Sequence, residues 1–83
     1  MARTSGSKDI YIDDCYTRHI IGAGGNQIDN IRRVSGAEVE VAGNDTVRNK
    51  ERKITIYGRQ EEIQIALTMI NNAIAESMYN SFS

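Results

Sequence analysis

A run of small residues, Gly22-Ala23-Gly24-Gly25, is the first place in the sequence where residue type and spacing point to chemistry. Three glycines in four residues favour positive φ angles and leave the backbone N–H groups accessible. The residues from Asn26 onward predict a helix, whose N-terminus carries the positive end of the helix dipole. Such a loop suits a phosphate group, but a tight helix–turn–helix whose glycines only relieve steric strain explains the same pattern. The local pattern leaves both interpretations open.

Two nucleotide-binding motifs do not fit this run. The dinucleotide fingerprint needs a third glycine where Gln27 stands and a strand before the loop, whereas the residues before Gly22 favour a helix. A P-loop needs Gly-Lys followed by Ser or Thr, and here Gly25 is followed by Asn26. The sequence therefore gives no support for either motif.

Cys15 and His19 form the only plausible pair of a nucleophile and its base. They are four residues apart and would meet on one helical turn, but no third group is evident that would orient the base. A buried cysteine beside an exposed histidine is the simpler interpretation. One cysteine and one histidine are also too few for a structural zinc site. We expect no catalytic residue, no metal ligand and no cofactor.

The elements that must position the glycine run follow from hydrophobic periodicity. Alternation of apolar and polar residues predicts three strands, at residues 9–12, 38–41 and 53–57. Helical periodicity predicts three helices, at residues 15–21, from 26 to a stop at 35–36, and from 59 onward. Asp14 is predicted to cap the first helix. The order β-α-α-β-β-α predicts an α+β fold in which a three-stranded sheet packs against three helices.

The same periodicity assigns the core faces. In the strands, the residues predicted to face inward are Ile10, Ile12, Ala37, Val39 and Val41. In the second helix they are Ile28, Ile31 and Val34, and in the long helix Ile63, Ala66, Leu67, Ile70, Ala73 and Ile74. The polar stretch from residue 43 to 52 is predicted to be a loop.

Length and composition exclude several classes of protein. With 83 residues, 40% of them hydrophobic and 25% charged, the chain forms one small globular domain, too small for a large enzyme. We expect residues 1–7 to be a disordered leader or linker, 8–78 the single domain and 79–83 a frayed tail. No apolar run is long enough for a membrane span, and the single cysteine favours an intracellular compartment. The net charge of −1 does not by itself suggest a nucleic-acid partner.

Residues 19–41 read HIIGAGGNQIDNIRRVSGAEVEV. They resemble the signature I-I-G-x-x-G-x-x-I-x-x-I-x-x-x-[ST]-G-A-x-I-x-[IV] of K homology (KH) domains, which bind RNA and single-stranded DNA. The element order is that of the eukaryotic type I KH fold, and the poly(C)-binding proteins carry domains of this kind. The resemblance implies a groove between the two short helices and the second strand, with a GXXG loop on one side and a variable loop on the other.

The resemblance also implies which residues form that groove. The loop residues that contact the phosphates are Gly22, Ala23, Gly24 and Gly25, followed by Asn26. The apolar floor is formed by Ile20, Ile21, Ile28 and Ile31, of which Ile21 and Ile28 also contribute to the core. The residues that read bases are two arginines, Arg32 and Arg52, and two strand residues whose backbone imitates a Watson–Crick edge, Val39 and Val41. Arg33 and Lys53 are weaker candidates.

The sequence departs from the family pattern in its charges. The two variable positions of the loop, where Lys or Arg is usual, hold Ala23 and Gly24, and Asp29 stands where a basic residue is common. Each missing cation removes a phosphate contact, so we expect weak binding by a single copy. Arg18 and His19 replace part of the lost charge. Five basic residues between 43 and 60 make the variable-loop side basic, and the last helix is acidic.

The function predicted from the resemblance is a module that binds about four nucleotides of single-stranded RNA with a C/A-rich preference. We expect an mRNA or single-stranded DNA partner, no membrane partner, and a cytoplasmic or nuclear location. The module is expected to be one of several KH copies in a post-transcriptional regulator. The alternative is a KH-fold module for protein interaction or homodimerisation, which has weakened RNA binding and uses its first strand and third helix.

Overall fold

A computed structural model describes residues 5–80 of the chain. Its elements are β1 (Gly6–Asp13), α1 (Thr17–Ile21), α2 (Asn26–Ser35), β2 (Glu38–Val41), β3 (Glu51–Gly58) and α3 (Gln60–Asn80). Short 3₁₀ turns occupy Asp14–Tyr16, Ala23–Gly25 and Asn44–Thr46. The predicted α+β class and the order β-α-α-β-β-α are confirmed. Within the described span, none of the helices has the length and apolar character needed to cross a membrane.

The three strands form one antiparallel sheet in the order β1-β3-β2. In the central strand, Ile54 lies opposite Ile10 on one side and Val41 on the other, so apolar residues of all three strands share one face. Alternation along β3 buries Ile54 and Ile56 completely and turns Lys53 outward. The helices cover the apolar face, and the opposite face carries exposed polar residues.

The long helix α3 seals that core. Its fully or nearly buried residues are Ile63, Ala66, Ile70 and Ala73, and Leu67 and Ile74 pack against them. These are the six positions predicted from the sequence, because a wide stripe at helical spacing keeps one face toward the sheet. The helix continues to Asn80, which lies within the expected tail at residues 79–83.

The predicted stripe of α2 is wrong at one position. Ile28 and Ile31 are buried, but Val34 is 58% exposed and Ser35 is buried in its place. A helix has 3.6 residues per turn, so the stripe that contains 28 and 31 continues at 35 rather than at 34. The Ser35 hydroxyl donates to the Ile31 carbonyl at 2.6 Å and accepts from the Ala37 N–H at 3.1 Å, which satisfies its polar group.

The predicted helix cap at Asp14 is also wrong. A 3₁₀ turn from Asp14 to Tyr16 precedes α1, and neither it nor α1 has a side-chain cap. The Asp14 carboxylate instead contacts the guanidinium of Arg52 at 2.8 Å and accepts a bond from the Thr17 hydroxyl at 3.4 Å. A cationic partner that is itself buried binds a carboxylate more strongly than a neutral backbone N–H does.

Two strands are longer than expected. The strand β1 begins at Gly6, inside the expected leader, and β3 begins at Glu51, two residues before the predicted start. A tight turn leads into β3, with Arg48 and Glu51 exchanging backbone bonds of 2.9 and 3.2 Å. Residues 1–4 of the expected leader and residues 81–83 of the expected tail lie outside the described residues.

Candidate nucleic-acid interface

The glycine run joins α1 to α2 through backbone conformations that favour glycine. Gly22 has φ 77° and ψ 175°, and Gly24 and Gly25 have φ of 63° and 81°. The N–H of Gly22 closes α1 by donating to the Arg18 carbonyl at 2.9 Å, and the N–H of Gly25 donates back to the Gly22 carbonyl at 3.2 Å. Three of the four positions, 22, 24 and 25, have a positive φ, which explains why the sequence concentrates glycine here.

The glycines serve two different purposes. A Cβ atom at Gly22 would lie 2.6 Å from Cβ of Gln27 and 2.9 Å from its backbone nitrogen, so only glycine fits. A Cβ at Gly24 or Gly25 would meet nothing within 4 Å. The outside of the loop is therefore open, and a ligand backbone can approach it closely.

One end of the predicted groove, which we call the loop end, corresponds to a cavity of about 350 Å³. It brings together three predicted site residues, Ile21, Gly22 and Arg52, and adds Asp14, Thr17 and Arg18. Ile21 is half-buried there and offers an apolar surface beside the loop. The chain thus places an apolar side chain, the glycine loop and an arginine around one depression.

Arg52 is buried rather than solvated. It occupies the inward-facing position of β3 that continues the row of Ile54 and Ile56, and its side chain is only 10% exposed. Asp14 Oδ1 lies 2.8 Å from both Nε and Nη2 of Arg52, and Nη1 donates to the Ala42 carbonyl at 3.1 Å. A guanidinium is stable in such a place only when it is paired, so these contacts make Arg52 part of the fold. Its role in reading a base remains a prediction.

The other end, which we call the strand edge, is the outer edge of β2. The Ala42 N–H donates to the Lys53 carbonyl of β3 at 3.0 Å. Because backbone groups alternate in direction along an antiparallel strand, the N–H and C=O groups of Val39 and Val41 point away from β3. The two residues predicted to imitate a base edge do present their backbone to the side where a ligand would lie.

Arg32 crosses the strand edge from α2. Its Nε and Nη2 donate to the Val39 carbonyl oxygen at 3.1 and 2.8 Å. Its Nη1 lies 3.3 Å from Oδ1 of Asp29, and its Nε lies 3.3 Å from Oε1 of Glu38. The Arg32 side chain is 39% exposed, so it remains accessible from solvent, whereas Val39 is completely covered.

The four predicted floor residues differ in exposure. Ile20 and Ile31 expose no surface, and Ile28 exposes 7%. Ile20 and Ile31 therefore support the floor from beneath and present nothing to a base, whereas Ile21 is the one that lines the cavity. Asn26, at the start of α2, is exposed beside the loop.

Several site residues were missed at the level of sequence. Asp14 and Glu38 pair with the two arginines, and Tyr57 lines a cavity of about 510 Å³ at the strand edge together with Arg32, Val41 and other residues. Tyr57 is 42% exposed, and its hydroxyl donates to Glu40 at 3.2 Å. The sequence interpretation made Tyr57 a packing or surface residue because it belongs to β3, but its position across from Glu38 places it next to β2.

The region of Cys15 and His19 does not resemble a nucleophilic centre. Cys15 is exposed and His19 half-buried, contrary to the expected burial of the thiol. Partial desolvation and the neighbouring Asp13 carboxylate raise the pKa of the Cys15 thiol, which disfavours the thiolate that a nucleophile needs. Among residues 5–80, no group of three or more His, Cys, Asp or Glu side chains is arranged to hold a metal ion.

Comparison with known families identifies the family of this chain. A model of the KH domain matches residues 7–72, most of the chain. The chain belongs to the KH domain family. KH domains are modules that bind single-stranded nucleic acid, with a GXXG loop clamping the backbone of the ligand. The loop at residues 22–25 occupies the position of that motif, and the chain is a binding module of this class.

The KH domain is similar to segments of longer proteins. It is 32% identical over 73 residues to human far upstream element-binding protein 2, which covers 88% of this chain and 10% of that protein. It is 41% identical over 51 residues to RNA-binding protein rnc1 of Schizosaccharomyces pombe, which covers 61% of this chain and 13% of that protein. The chain thus spans about a tenth of the length of the curated relatives it matches.

Solved structures confirm the type I KH fold. The first KH type I domain of human vigilin superposes with a TM-score of 0.78 at 23% identity, covering 95% of this chain and 83% of that chain. The thirteenth KH type I domain of human vigilin gives a TM-score of 0.77 at 23% identity, covering 92% of this chain and 78% of that chain. The three-stranded sheet backed by three helices is therefore that of the family.

Proposed function

We propose that this KH domain binds about four nucleotides of single-stranded RNA, with a preference for C- and A-rich sequence, in the groove between the loop end and the strand edge. The observations that carry the proposal are the open outer side of the GXXG loop and the outward backbone of Val41 at the outer edge of β2. One side suits phosphates and the other suits base edges. A short strand of nucleic acid fits both.

The phosphate side depends on backbone rather than on charge. The open space outside Gly24 and Gly25 allows a phosphate to approach the loop, and Asn26 adds an exposed amide. Arg18 and His19 line a cavity of about 780 Å³ together with the loop residues Gly22 and Ala23, and the Arg18 guanidinium supplies positive charge there. With no cation at Ala23 or Gly24, we expect few phosphate contacts and a shallow dependence of affinity on salt.

The base side depends on guanidinium and backbone groups. The planar fork of Arg32 can pair bidentately with O2 and N3 of cytosine, a geometry that lysine does not reproduce. Arg52 is proposed to contact a neighbouring base from its anchored position at the loop end. The outward N–H and C=O of Val41 offer one donor and one acceptor, a pattern that suits the Watson–Crick edge of cytosine or adenine.

We further propose that the domain acts beside other KH copies in a post-transcriptional regulator of mRNA, in the cytoplasm or nucleus. Two matches support this context: one relative is named an RNA-binding protein, and each relative is several times longer than this chain. Linking weak modules raises overall affinity through effective concentration, which offsets the modest affinity expected of one copy.

The test is an NMR titration of the ¹⁵N-labelled domain with tetranucleotides of C-rich, A-rich and U-rich RNA and with the matching DNA. We expect saturable shifts at residues 22–28 and at Val41, largest for the C-rich RNA. The Ala23→Glu variant places a carboxylate on the open loop and should weaken binding about tenfold, while Ala23→Gln, of equal size and no charge, should not. Absence of shifts at the loop with all ligands would contradict the proposal.

A second candidate function is homodimerisation or docking of a neighbouring KH domain through β1. One observation favours it: within residues 5–80, β1 pairs with β3 alone, so its eight residues leave one edge of the sheet without a partner strand in that part of the chain. Analytical ultracentrifugation separates the candidates. A dimer whose mass is unchanged by RNA supports the second, and a monomer at high concentration counts against it.

A further inference from the structure

Arg32 covers the part of the strand edge where a base is proposed to bind. A carbonyl oxygen has two lone pairs, and the Val39 oxygen receives two donors from Arg32, at 3.1 and 2.8 Å. Val39 has no exposed surface. The amino group of a cytosine or adenine must displace at least one Arg32 donor before it can bond to this oxygen.

Two carboxylates hold Arg32 in that position. Asp29, one turn earlier on α2, contacts Nη1 at 3.3 Å, and Glu38, on β2, contacts Nε at 3.3 Å. They approach the guanidinium from two different elements, so Arg32 bridges α2 to β2. The pairing is also unbalanced, because two negative charges surround one positive charge at a place where nucleic acid must come close.

We propose that Asp29 and Glu38 act as a latch that keeps Arg32 over the Val39 carbonyl and closes the strand edge until a ligand displaces it. The inference rests on the proposed function, since the latch regulates that same groove. In this state Arg32 is bound by its own chain, and nucleic acid must exchange those contacts for its own. Part of the binding free energy is consumed in opening the latch, which lowers the apparent affinity.

The latch is weak enough to open. The side chains of Asp29 and Glu38 are 67% and 63% exposed, and ion pairs in solvent contribute little individually. Removing both carboxylates should therefore tighten binding of a C-rich tetranucleotide by about two- to tenfold. The opposite role, in which the carboxylates hold Arg32 ready for a base, predicts weaker binding after their removal.

The experiment compares the variant Asp29→Asn/Glu38→Gln with the control Glu40→Gln/Glu61→Gln in calorimetric titrations of a C-rich RNA tetranucleotide. Both variants remove two carboxylates, but Glu40 contacts Tyr57 and Glu61 lies on α3. The control therefore measures the general gain from reduced repulsion. Tighter binding by the latch variant than by the control supports the latch. Equal or weaker binding than wild type, with wild type binding normally, overturns it.

A second measurement works without any ligand. The Arg32 Nε–H resonance should exchange slowly with water in the wild-type domain and several-fold faster in the latch variant, with thermal unfolding confirming that both are folded. Unchanged exchange would overturn the latch even if RNA fails to bind. Failure of every protein to bind RNA would contradict the proposed function, and the Arg32 resonance would then decide the latch separately.

Discussion

The two ends of the groove hold their arginines in opposite ways. At the loop end, Arg52 is 10% exposed and is fixed by Asp14 at 2.8 Å. At the strand edge, Arg32 is 39% exposed and is held by longer contacts of 3.3 Å to two exposed carboxylates. The first arrangement contributes to folding, because a buried guanidinium cannot lose its partner without a large cost. The second is available for exchange, because solvent replaces exposed contacts at little cost.

The comparison suggests a division of labour within one small groove. In the proposed mode of binding, the ligand backbone lies against the loop end, and Arg32 at the strand edge moves when a base arrives. Small domains have limited stability, of about 5–15 kcal/mol, so they can support only a few such strained or buried polar features. The loop end contains both an ion pair whose guanidinium is buried and a glycine that no other residue can replace.

The largest expected effect is that of Gly22→Ala at the loop end. The new Cβ would lie 2.6 Å from Cβ of Gln27 at a φ of 77°, so both packing and backbone conformation are disturbed. We expect a loss of about 3 kcal/mol or more in the free energy of unfolding, measured with urea. Gly24→Ala is the control, since its Cβ meets open space, and it should cost only about 1–2 kcal/mol for the left-handed conformation. Equal losses in the two variants would show that packing at Gly22 is unimportant.

The next largest effect is that of Arg52→Ala. Removing the guanidinium leaves the Asp14 carboxylate and the Ala42 carbonyl without their partner, which should cost about 2–3 kcal/mol of unfolding free energy. The control is Arg59→Ala, whose ion pair with Glu62 spans 3.7 Å at a side chain 51% exposed, and which should cost less than about 0.5 kcal/mol. If the two alanine substitutions lower stability equally in thermal and urea unfolding, Arg52 does not anchor the loop end.

Most of the fold was predictable because its signals are local. Alternation defined β2 correctly, and the helical stripe identified the buried face of α3, since each element needs only its own residues to reveal its period. Val34 was wrongly assigned to the core because a spacing of three residues was followed instead of the helical period of 3.6 residues. Asp14 was misassigned because its partner, Arg52, is 38 residues away, and no local pattern links the two.

The site was predictable in a different way. The resemblance to KH domains located the loop at residues 22–25 and both arginines, and in the structure Gly22 and Arg52 line one cavity while Arg32 lines another. The resemblance gave no information about the burial and the hydrogen-bond partners of each arginine, because these depend on how the strands and helices pack together. Glu38 illustrates this. The sequence pattern makes it a solvent-facing residue of β2, but in the structure its carboxylate contacts Arg32 of α2.

At the strand edge, Arg32→Ala should leave stability nearly unchanged and weaken binding. The exposed ion pairs of Arg32 are worth less than about 1 kcal/mol, and the Val39 carbonyl, which loses two donors at the outer edge of β2, becomes open to water. Loss of a bidentate base contact costs about 1–3 kcal/mol, or roughly 5- to 100-fold in Kd. Arg32→Lys keeps the charge without the planar fork and should lose most of the discrimination between cytosine and uracil. Calorimetry with C-rich and U-rich tetramers measures both effects. If Arg32→Ala lowers the free energy of unfolding as much as Arg52→Ala does, Arg32 is as important to the fold as Arg52, and the proposed difference between the two ends is wrong.

The smallest expected effect concerns Tyr57, beside Arg32 at the strand edge. The Glu40 carboxylate, by its charge and by its hydrogen bond, raises the pKa of Tyr57 above its ordinary value, with smaller contributions from desolvation and Asp9. The phenol therefore stays neutral in the folded domain at a pH where it ionises in the unfolded chain. Its small contribution to stability is complete below the ordinary tyrosine pKa and is lost as pH rises through the raised one.

Glu40→Gln removes the largest cause of that shift, so the pKa of Tyr57 should move down toward its ordinary value, as followed by ring NMR signals during alkaline titration. Arg32 does not contact Glu40, so its Nε–H exchange should stay unchanged in the same variant. An unchanged Tyr57 titration would mean that solvent screens the carboxylates of the strand edge from their neighbours. The carboxylates of Asp29 and Glu38 would then be screened from Arg32 as well, since their exposure is no lower than that of Tyr57. Only the hydrogen bond between Asp29 and Arg32 would be left to hold the latch.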